Sequence, residues 1–562
     1  MIDAFTQRSR IAYFSMEIAL RPEIHTYAGG LGILAGDTVR SCADLELPVV
    51  FVTLVSRDGY LRQSIGEDGR QIEQPDPWEP ERWARPLGAK VAVAIEGRDV
   101  WVRPWLYRHK GALGYEVPVL LLDTMLDENA PQDRDICRSL YGGDSGYRLN
   151  QEIVLGIGGY RLLRALGFEI ETYHMNEGHS ALLALEMLHG HRHLNGNTAE
   201  HAGYDPEVAR QHCVFTTHTP VEAGHDRFPY DMVEGKLKGV VDIAALRAVA
   251  GGQDLNMTRL ALNLSGYVNG VAKRHAEISR QLFPGYRVHA ITNGVHVETW
   301  TCGSFAQLYQ RHFPNWGHEP EVLVRADGLD DAAVWEAHRR AKLALLNRIA
   351  QETGSSLSPD TLILGFARRM TGYKRLDLLF SDLDRLRALA KTHPFQIVIA
   401  GKAHPHDEDG KRVIQALHRR KAELAADIPV AFLANYGMDL ARLLTSGSDV
   451  WLNTPLPPLE ASGTSGMKAA LNGVLNLGVL DGWWMEACID GTTGWAIGDA
   501  DLGTADDDAE DLYRRLEGDV LPLYYGDRAR WIWMMKQSIS KIASYFNSQR
   551  MMRRYASEAY LR

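Results

Sequence analysis

Cysteine is scarce in this chain: Cys42, Cys137, Cys213, Cys302 and Cys488 are the five among 562 residues, odd in number and widely scattered. No two sit at metal-knuckle spacing, so neither a disulfide framework nor a cysteine-based metal site is expected. Reduced thiols in a cytoplasmic protein are the reading. Long hydrophobic runs are missing too, and none approaches the roughly 18 apolar residues that span a bilayer. The opening residues, MIDAFTQRSRIAYFSMEIAL, lack a basic stretch followed by an apolar core, so no secretory leader is expected. A basic excess is also absent: 61 Lys and Arg face 71 Asp and Glu, for a net charge of −10. A broad nucleic-acid surface needs the opposite balance, so neither nucleic acid nor membrane is expected as a partner. Local basic pockets are not excluded. Internal repeats and low-complexity tracts are lacking as well.

What is present is the composition of a globular protein, 45% hydrophobic and 23% charged, and too many residues for one core. Short apolar runs recur: PVVFVTLV (48–55), KVAVAI (90–95), PVLLLD (118–123) and CVFTTHT (213–219) in the first half. In the second half come LILGFAR (362–368), FQIVIAG (395–401), PVAFLANY (429–436) and DVWLNT (449–454). Continuous runs of this kind suit strands buried on both faces of a parallel sheet. Helical spacing marks ALLALEMLHGH (181–191), and residues 331–353 and 406–427 read as helices between strands. The expectation is α/β: two doubly wound domains, 1–300 and 301–562, facing each other across a cleft. The boundary is placed after TNGVHVETW (292–300), where the segment that follows reads as irregular and polar. The Trp-, Met- and Arg-rich stretch from about 530 reads as helical and able to pack back on the N-terminal domain.

Four constellations carry chemistry. In LEASGTSGMKAALNG (459–473) a run of small residues leads into a helix, and one lysine, Lys468, stands among small and apolar neighbours. A helix start offers unpaired N–H groups and a positive dipole end. An amine beside such an anion cradle is what holding pyridoxal phosphate requires, although an exposed lysine on an ordinary helix turn fits the same letters. FARRMTGYKR (366–375) places Arg368, Arg369, Lys374 and Arg375 just beyond a strand, where ligands of open α/β sheets bind. Four cations there suit phosphate, or merely a solvated loop. YAGGLGILAGD (27–37) sets Gly29, Gly30 and Gly32 at a helix start, where backbone can approach an anion or sugar closely. MNEGHSALL (175–183) contributes Glu177 and His179, TTHTPVEAGHD (216–226) contributes His218 and His225, and ITNGVH contributes Asn293. The histidines lack compact ligand spacing, so no metal is expected.

Together and in this order, these motifs resemble the α-glucan phosphorylases. The likeness runs from YFSMEIAL (13–20) through GGLG, MNEGH, TTHTP, VNGVAKRHAEI (268–278), ITNGVH, RRMTGYKR and IAGKAHP (399–405) to EASGTSGMKAALNG and VLDG (479–482). Tryptophans directly after VLDG resemble the bacterial and archaeal branch. The resemblance implies two Rossmann-like domains of GT-B type and pyridoxal 5′-phosphate covalently attached to Lys468. It implies Arg368, Tyr436, Trp300, Thr464 and Ser465 around that cofactor, and Arg369 and Lys374 on the substrate phosphate opposite the Gly29–Gly30 backbone. Glu460, Ser462 and Gly463 would grip the glucosyl unit, with Asn293 and His218 near its 6-hydroxyl, His179 among the substrate-binding residues and Asp144 as a loop acid. Two departures stand out: Ala19 where the family often has a tyrosine, and Gly437 where animal enzymes have an arginine.

The implied reaction is reversible phosphorolysis of α-1,4-glucans from the non-reducing end, releasing glucose 1-phosphate with retention of configuration. A nucleotide-sugar glucosyltransferase of the same fold is the rival, but it carries a second glutamate eight positions after the first, where this chain has Lys468 after Glu460. A non-catalytic glucan-binding relative is the other alternative, and the three cations it would lose are present. Since the chain begins almost at YFSMEIAL, activity without a nucleotide effector or phosphorylation is expected. A homodimer is the candidate assembly, although the contacts made by the regulatory segment of animal enzymes have no counterpart.

Overall fold

A computed structural model describes residues 2–194, 205–498 and 505–561. Its framework is two sheets. The second is the simpler: six parallel strands in the spatial order Val430–Leu433, Phe395–Ala400, Leu362–Ala367, Val450–Asn453, Leu475–Val479, Gly494–Ile497. Every residue of these strands is buried, which is why they read as unbroken apolar runs rather than alternating ones. The order reverses between Leu362–Ala367 and Val450–Asn453, so loops from those two strands part in opposite directions and leave room for a ligand at their carboxyl ends. The helix Asp331–Thr353 precedes this sheet; Asp330 caps it by accepting from the Ala333 N–H, and Gly354 ends it in the left-handed region at φ 68°.

The first sheet has ten strands. Its parallel part runs Val288–Ala290, Tyr267–Gly270, Cys213–Thr216, Thr172–Asn176, Ile11–Phe14, Val49–Leu54, Glu116–Asp123. Its far edge differs from the sequence expectation. The thirteen-residue strand Arg98–Lys110 pairs antiparallel with Glu116–Asp123, and Val91–Ile95, within KVAVAI, pairs antiparallel with it. Val100, Val102 and Pro104–Tyr107 of this strand are buried while Asp99, Arg108 and Lys110 are exposed, a mixed pattern unlike the unbroken buried runs of the parallel strands.

The segment after Trp300 also departs from the irregular, polar stretch expected. It forms the helix Gly303–His312 and a 3-10 stretch Pro320–Gly328, and Phe305 and Tyr309 are fully buried. The C-terminal helices do return to the first half. Met551, Met552, Tyr555 and Ala559 join the core of the first sheet. Ser41 and Ser548 hydroxyls meet at 2.6 Å, and Tyr560 Oη meets His174 Nδ1 at 2.7 Å.

A hairpin from the first half (Arg62–Ile65 paired with Gln71–Gln74) reaches across to the second sheet. Gln63 Nε2 donates to the Gly401 carbonyl at 2.8 Å, and the Asn435 N–H donates to Gln63 Oε1 at 2.8 Å. Gln71 Nε2 donates to the Ala403 carbonyl, and the Ala403 N–H to Gln71 Oε1, both at 2.9 Å. Lys402 Nζ donates to the Leu61 carbonyl at 2.9 Å.

The second half is braced by a buried ion cluster. Asp449 accepts from Lys342 Nζ at 2.7 Å, His338 Nε2 at 2.8 Å and the Ile363 N–H at 2.7 Å, with its side chain fully enclosed. Burial pushes its carboxyl up, but Lys342 and His338 outweigh that and hold it at about 2. Removing one partner strands a buried cation, so Asp449→Ala is expected to cost on the order of 3–5 kcal/mol. Denaturant unfolding checks this; a midpoint unchanged from wild type would contradict the cluster's role.

Candidate active site

The side chains that matter stand where strands end. After Ile11–Phe14 the chain passes Glu17 and turns at Gly29 into helix α1 (Gly30–Asp44). Glu17 Oε2 accepts from the Ala28 N–H at 2.6 Å and the Gly29 N–H at 3.0 Å, and its Oε1 accepts from Tyr141 Oη at 2.9 Å. That fixes the glycine turn while leaving the first helical N–H groups, of Gly30, Leu31 and Gly32, without intrahelical acceptors. A side chain at Gly29 or Gly30 would project into open space, whereas one at Gly32 would strike Glu17.

Thr172–Asn176 and Cys213–Thr216 end beside each other and deliver Glu177 and His218. Glu177 sits at φ 72°, and its carboxyl accepts from the His218 N–H (2.8 Å), Thr219 Oγ1 (3.0 Å) and the Gly178 N–H (3.2 Å). Burial lifts it to about 7 despite those donors. His218 Nε2 lies 2.6 Å from Asn176 Oδ1; with that oxygen accepting, Nε2 carries the proton and Nδ1 is left as an acceptor. Burial drives His218 and His179 down to about 3, so both rings are neutral. His179 Nε2 faces Asp226 at 3.5 Å, and Asp226 in turn binds Arg148 at 2.9 Å. Among the described residues no cluster of His, Cys, Asp or Glu has metal-site geometry.

In the second half, Leu362–Ala367 runs into Arg368 and Arg369, and a 3-10 turn Gly372–Lys374 follows. Arg368 is buried, with its guanidinium 5.3 Å from the Phe366 ring and its Nε without a partner. Burial lowers its pKa although Glu460, Tyr373 and Tyr436 stand near. Lys374 pairs with Glu460, whose own N–H donates to Asp481 Oδ2 at 2.8 Å. Asp481, in VLDG, is pushed up to about 6 by burial. Arg369 is exposed, within electrostatic reach of Tyr60 and His404.

Lys468 is the fourth residue of helix α3 (Ser465–Leu471), and the Trp300 ring ends helix α2 (Val297–Trp300). The Lys468 amine stands 3.7 Å from the Trp300 ring centroid and makes no hydrogen bond or ion pair among the described residues. Burial lowers it to about 8, with Arg40 adding to and Asp37 opposing the shift. Thr464 precedes the helix without a side-chain cap, so the N–H groups of Ser465, Gly466 and Met467 face outward unpaired by the helix. Ser465 Oγ is engaged by Trp451 Nε1 at 3.0 Å. Asn472, just past the helix, ties it to its neighbour: its Nδ2 donates to the carbonyls of Trp300 (3.0 Å) and Lys468 (2.9 Å), and its Oδ1 accepts from the Cys302 N–H (2.8 Å).

The remaining expected residues are placed as follows. Asn293 and Ser462 are buried with Oδ1 and Oγ unpartnered, and Gly463 adopts φ 79° against the Glu460 side chain. Tyr436 is half-buried beside Arg368, and its phenol is raised by burial. Asp144 stands apart: exposed, it caps the helix Ser145–Ile153 by accepting from the Tyr147 N–H at 2.9 Å. The space beside Gly437 is used by another group, and at Ala19 the backbone carbonyl is engaged. The Arg40 guanidinium binds the Ala19 carbonyl at 3.0 Å, and Tyr27 Oη, accepting from the Met438 N–H at 3.2 Å, fills the side of Gly437. Glu17, Asp37, Tyr27 and Asp481 were not singled out from sequence. All four lie inside quoted motifs, and Asp37 follows Gly30 at helical spacing.

This arrangement suits pyridoxal phosphate. A dianion would meet the unpartnered Arg368 Nε, the Thr371 hydroxyl, which is likewise buried and unpaired, and the uncapped start of helix α3. An amine with a pKa near 8, free of any acid, suits an aldehyde.

Fold and site thus define a mixed α/β enzyme in which a buried lysine and several cations gather at the carboxyl ends of parallel strands. A carbohydrate phosphorylase family model matches residues 241–490. Maltodextrin phosphorylase of Thermococcus litoralis is 38% identical over 98% of this chain and 70% of its own length. Glycogen phosphorylase of Aquifex aeolicus is 35% identical over 99% and 86%, and that of Mycobacterium tuberculosis is 38% identical over 98% and 70%. The chain belongs to the carbohydrate phosphorylase family, whose members use pyridoxal phosphate. No helix among the described residues is long and apolar enough to cross a membrane.

The lowered Lys468 pKa has a thermodynamic sign. Between about 8 and 10.5 the unfolded chain holds the proton and the native one does not, so the cofactor-free protein gains stability as pH rises through that window. Lys468→Met is therefore expected to stabilise the cofactor-free chain at pH 7 by up to about 3 kcal/mol. The gain fades as pH rises from 8 toward 10.5. Denaturant unfolding at pH 7 and 9.5 checks it; a variant less stable than wild type at pH 7 would contradict the reading.

Proposed function

We propose that this chain catalyses reversible phosphorolysis of α-1,4-glucans, removing glucose from the non-reducing end as glucose 1-phosphate with retention of configuration. It would do so with pyridoxal 5′-phosphate attached to Lys468. The observation that carries the reading is the Lys468 amine, buried, without an acidic partner, on a helix whose start is uncapped. A nucleotide-sugar transferase would want a carboxylate there, and the charged groups that act on this amine are Asp37 and Arg40, themselves paired.

The architecture proposed is two Rossmann-like domains, about 1–300 and 301–562, in the GT-B arrangement. The second sheet's strand order and the shared position of all site loops at strand carboxyl ends support it. Arg368, Thr464, Ser465 and Tyr436, with Trp300, would hold the cofactor. When bound, it supplies a second phosphate that holds and exchanges a proton beside the substrate phosphate.

Phosphorolysis needs a proton on the leaving glycosidic oxygen and a negative charge beside the sugar cation, with water kept from attacking. Arg369 and Lys374 would hold the substrate phosphate; of the expected Gly29–Gly30 backbone, the Gly29 N–H is taken by Glu17, so the Gly30 N–H and those following it would receive the remaining oxygens. Lys374 is now neutralised by Glu460; an arriving dianion would share that lysine and leave Glu460 for a sugar hydroxyl. Ser462 Oγ and Asn293 Oδ1, both buried and unpaired, fit the same sugar, and neutral His218 offers Nδ1 as an acceptor for its hydroxyl. Asp144 would approach only from its exposed loop.

Two outcomes test this. Lys468→Ala should lose retained pyridoxal phosphate, read by absorbance after gel filtration, together with phosphate-dependent release of glucose 1-phosphate. Stoichiometric retention in that variant would overturn the assignment. Arg369→Ala removes a charged donor worth about 1.5–3 kcal/mol, so the phosphate KM should rise roughly ten- to hundredfold with glucan KM little changed. Equal weakening of both substrates would argue against its contact with phosphate.

A further inference from the structure

Helix α1 carries more than the glycine turn. Asp37 follows Gly30 by seven residues, two turns on, and so lies on the same face of the helix. It is 1% exposed, yet its carboxylate is fully engaged. Oδ1 and Oδ2 accept from Trp300 Nε1 at 3.1 and 2.8 Å, Oδ2 from the His296 N–H at 3.2 Å, and Oδ1 from Arg40 Nη1 at 3.2 Å. Arg40 is itself fixed by the Ala19 and Leu20 carbonyls at 3.0 and 2.9 Å. The indole so gripped is the one over which the Lys468 amine stands.

We propose that Asp37 is a positioning residue for Lys468: by binding the indole N–H it fixes the plane of Trp300, and that plane holds the amine in place for the cofactor aldehyde. The proposal rests on the assignment of pyridoxal phosphate to Lys468. Its physical sense lies in what a direct ion pair would do. A carboxylate touching the amine would hold the proton on it and remove its nucleophilic form. An indole interposed between them receives the carboxylate on its edge and offers its electron-rich face to the ammonium. The amine is held, and Arg40, paired with Asp37, offsets part of the carboxylate's charge. Asn472 fixes the backbone of Trp300 and Lys468 together, so the ring's tilt is the freedom that remains, and Asp37 removes it.

The test is a double-mutant cycle on cofactor binding. Cofactor-free wild type, Asp37→Ala, Asp37→Asn, Trp300→Phe and the Asp37/Trp300 double variants are titrated with pyridoxal 5′-phosphate. Absorbance reads the binding, and thermal melts of each cofactor-free protein read the fold. Asp37→Ala is expected to weaken binding roughly tenfold when Trp300 is present. It should weaken it less than about twofold when position 300 is phenylalanine, which has no N–H to grip. Asp37→Asn, still an acceptor for the indole, should fall between wild type and Asp37→Ala. A purely structural carboxylate would weaken binding equally in both backgrounds, and that result overturns the proposal, as does undiminished binding in Asp37→Ala. If Asp37→Ala does not fold, the same comparison made with Asp37→Asn decides. A wild-type chain that takes up no pyridoxal phosphate would sink the cofactor assignment itself, and is told apart because it needs no variant.

Discussion

Burying an ammonium without an anion is costly, and this protein does so at Lys468. The cost is tolerable because the group can shed its proton near neutrality, and that is also what an amine needs in order to react with an aldehyde. Much of the surrounding structure follows from the constraint. The helix bearing Lys468 cannot be capped by an acid without restoring an ion pair, and its start is uncapped. The nearest carboxylate, Asp37, is turned edge-on to an indole and shared with Arg40. The only contact left to the amine among the described residues is an aromatic face.

The same economy governs the phosphate side. Arg368 keeps an unpartnered Nε in the interior, and Lys374 is balanced by one glutamate that a sugar can take over. Arg368 thus keeps an unpaired donor where an anion is to arrive, while Lys374 would pass from Glu460 to the ligand, so binding completes one contact and exchanges another. Glu17 plays the complementary part. A carboxylate at the glycine turn would ordinarily repel phosphate. Here it is consumed by the Ala28 and Gly29 N–H groups and by Tyr141, and the amides beyond it remain for a ligand.

Sequence made the parallel strands plain because burial on both faces favours unbroken apolar runs; LILGFA is one, and FQIVIA departs from it only at Gln396. It hid Arg98–Lys110, whose charges and proline interrupt its apolar residues; the fold pairs it antiparallel on both sides, with Glu116–Asp123 and with Val91–Ile95. The lysine and arginine motifs were legible because cations among small or apolar neighbours are conspicuous. Asp37 was not, since one acid within a helix usually marks a solvated face; only the fold shows that this face points inward at Trp300. Glu17 went unseen for a related reason, its partners being backbone N–H groups that no side-chain pattern announces.

The link between the two halves obeys the constraint set by the site. Gln63 and Gln71 bridge to Gly401, Ala403 and Asn435 with neutral amides that donate and accept at once, so each satisfies backbone groups of the opposite half. One ion pair also joins the halves, Glu73 Oε1 with Lys411 Nζ at 3.2 Å, but it is partly exposed and screening leaves it worth little beside the buried amides. Amides hold the halves in register while leaving the local field to Arg368, Arg369 and Lys374. Lys402, also in the link, is spent on the Leu61 carbonyl, and burial lowers it to about 8, so it too sits close to losing its proton.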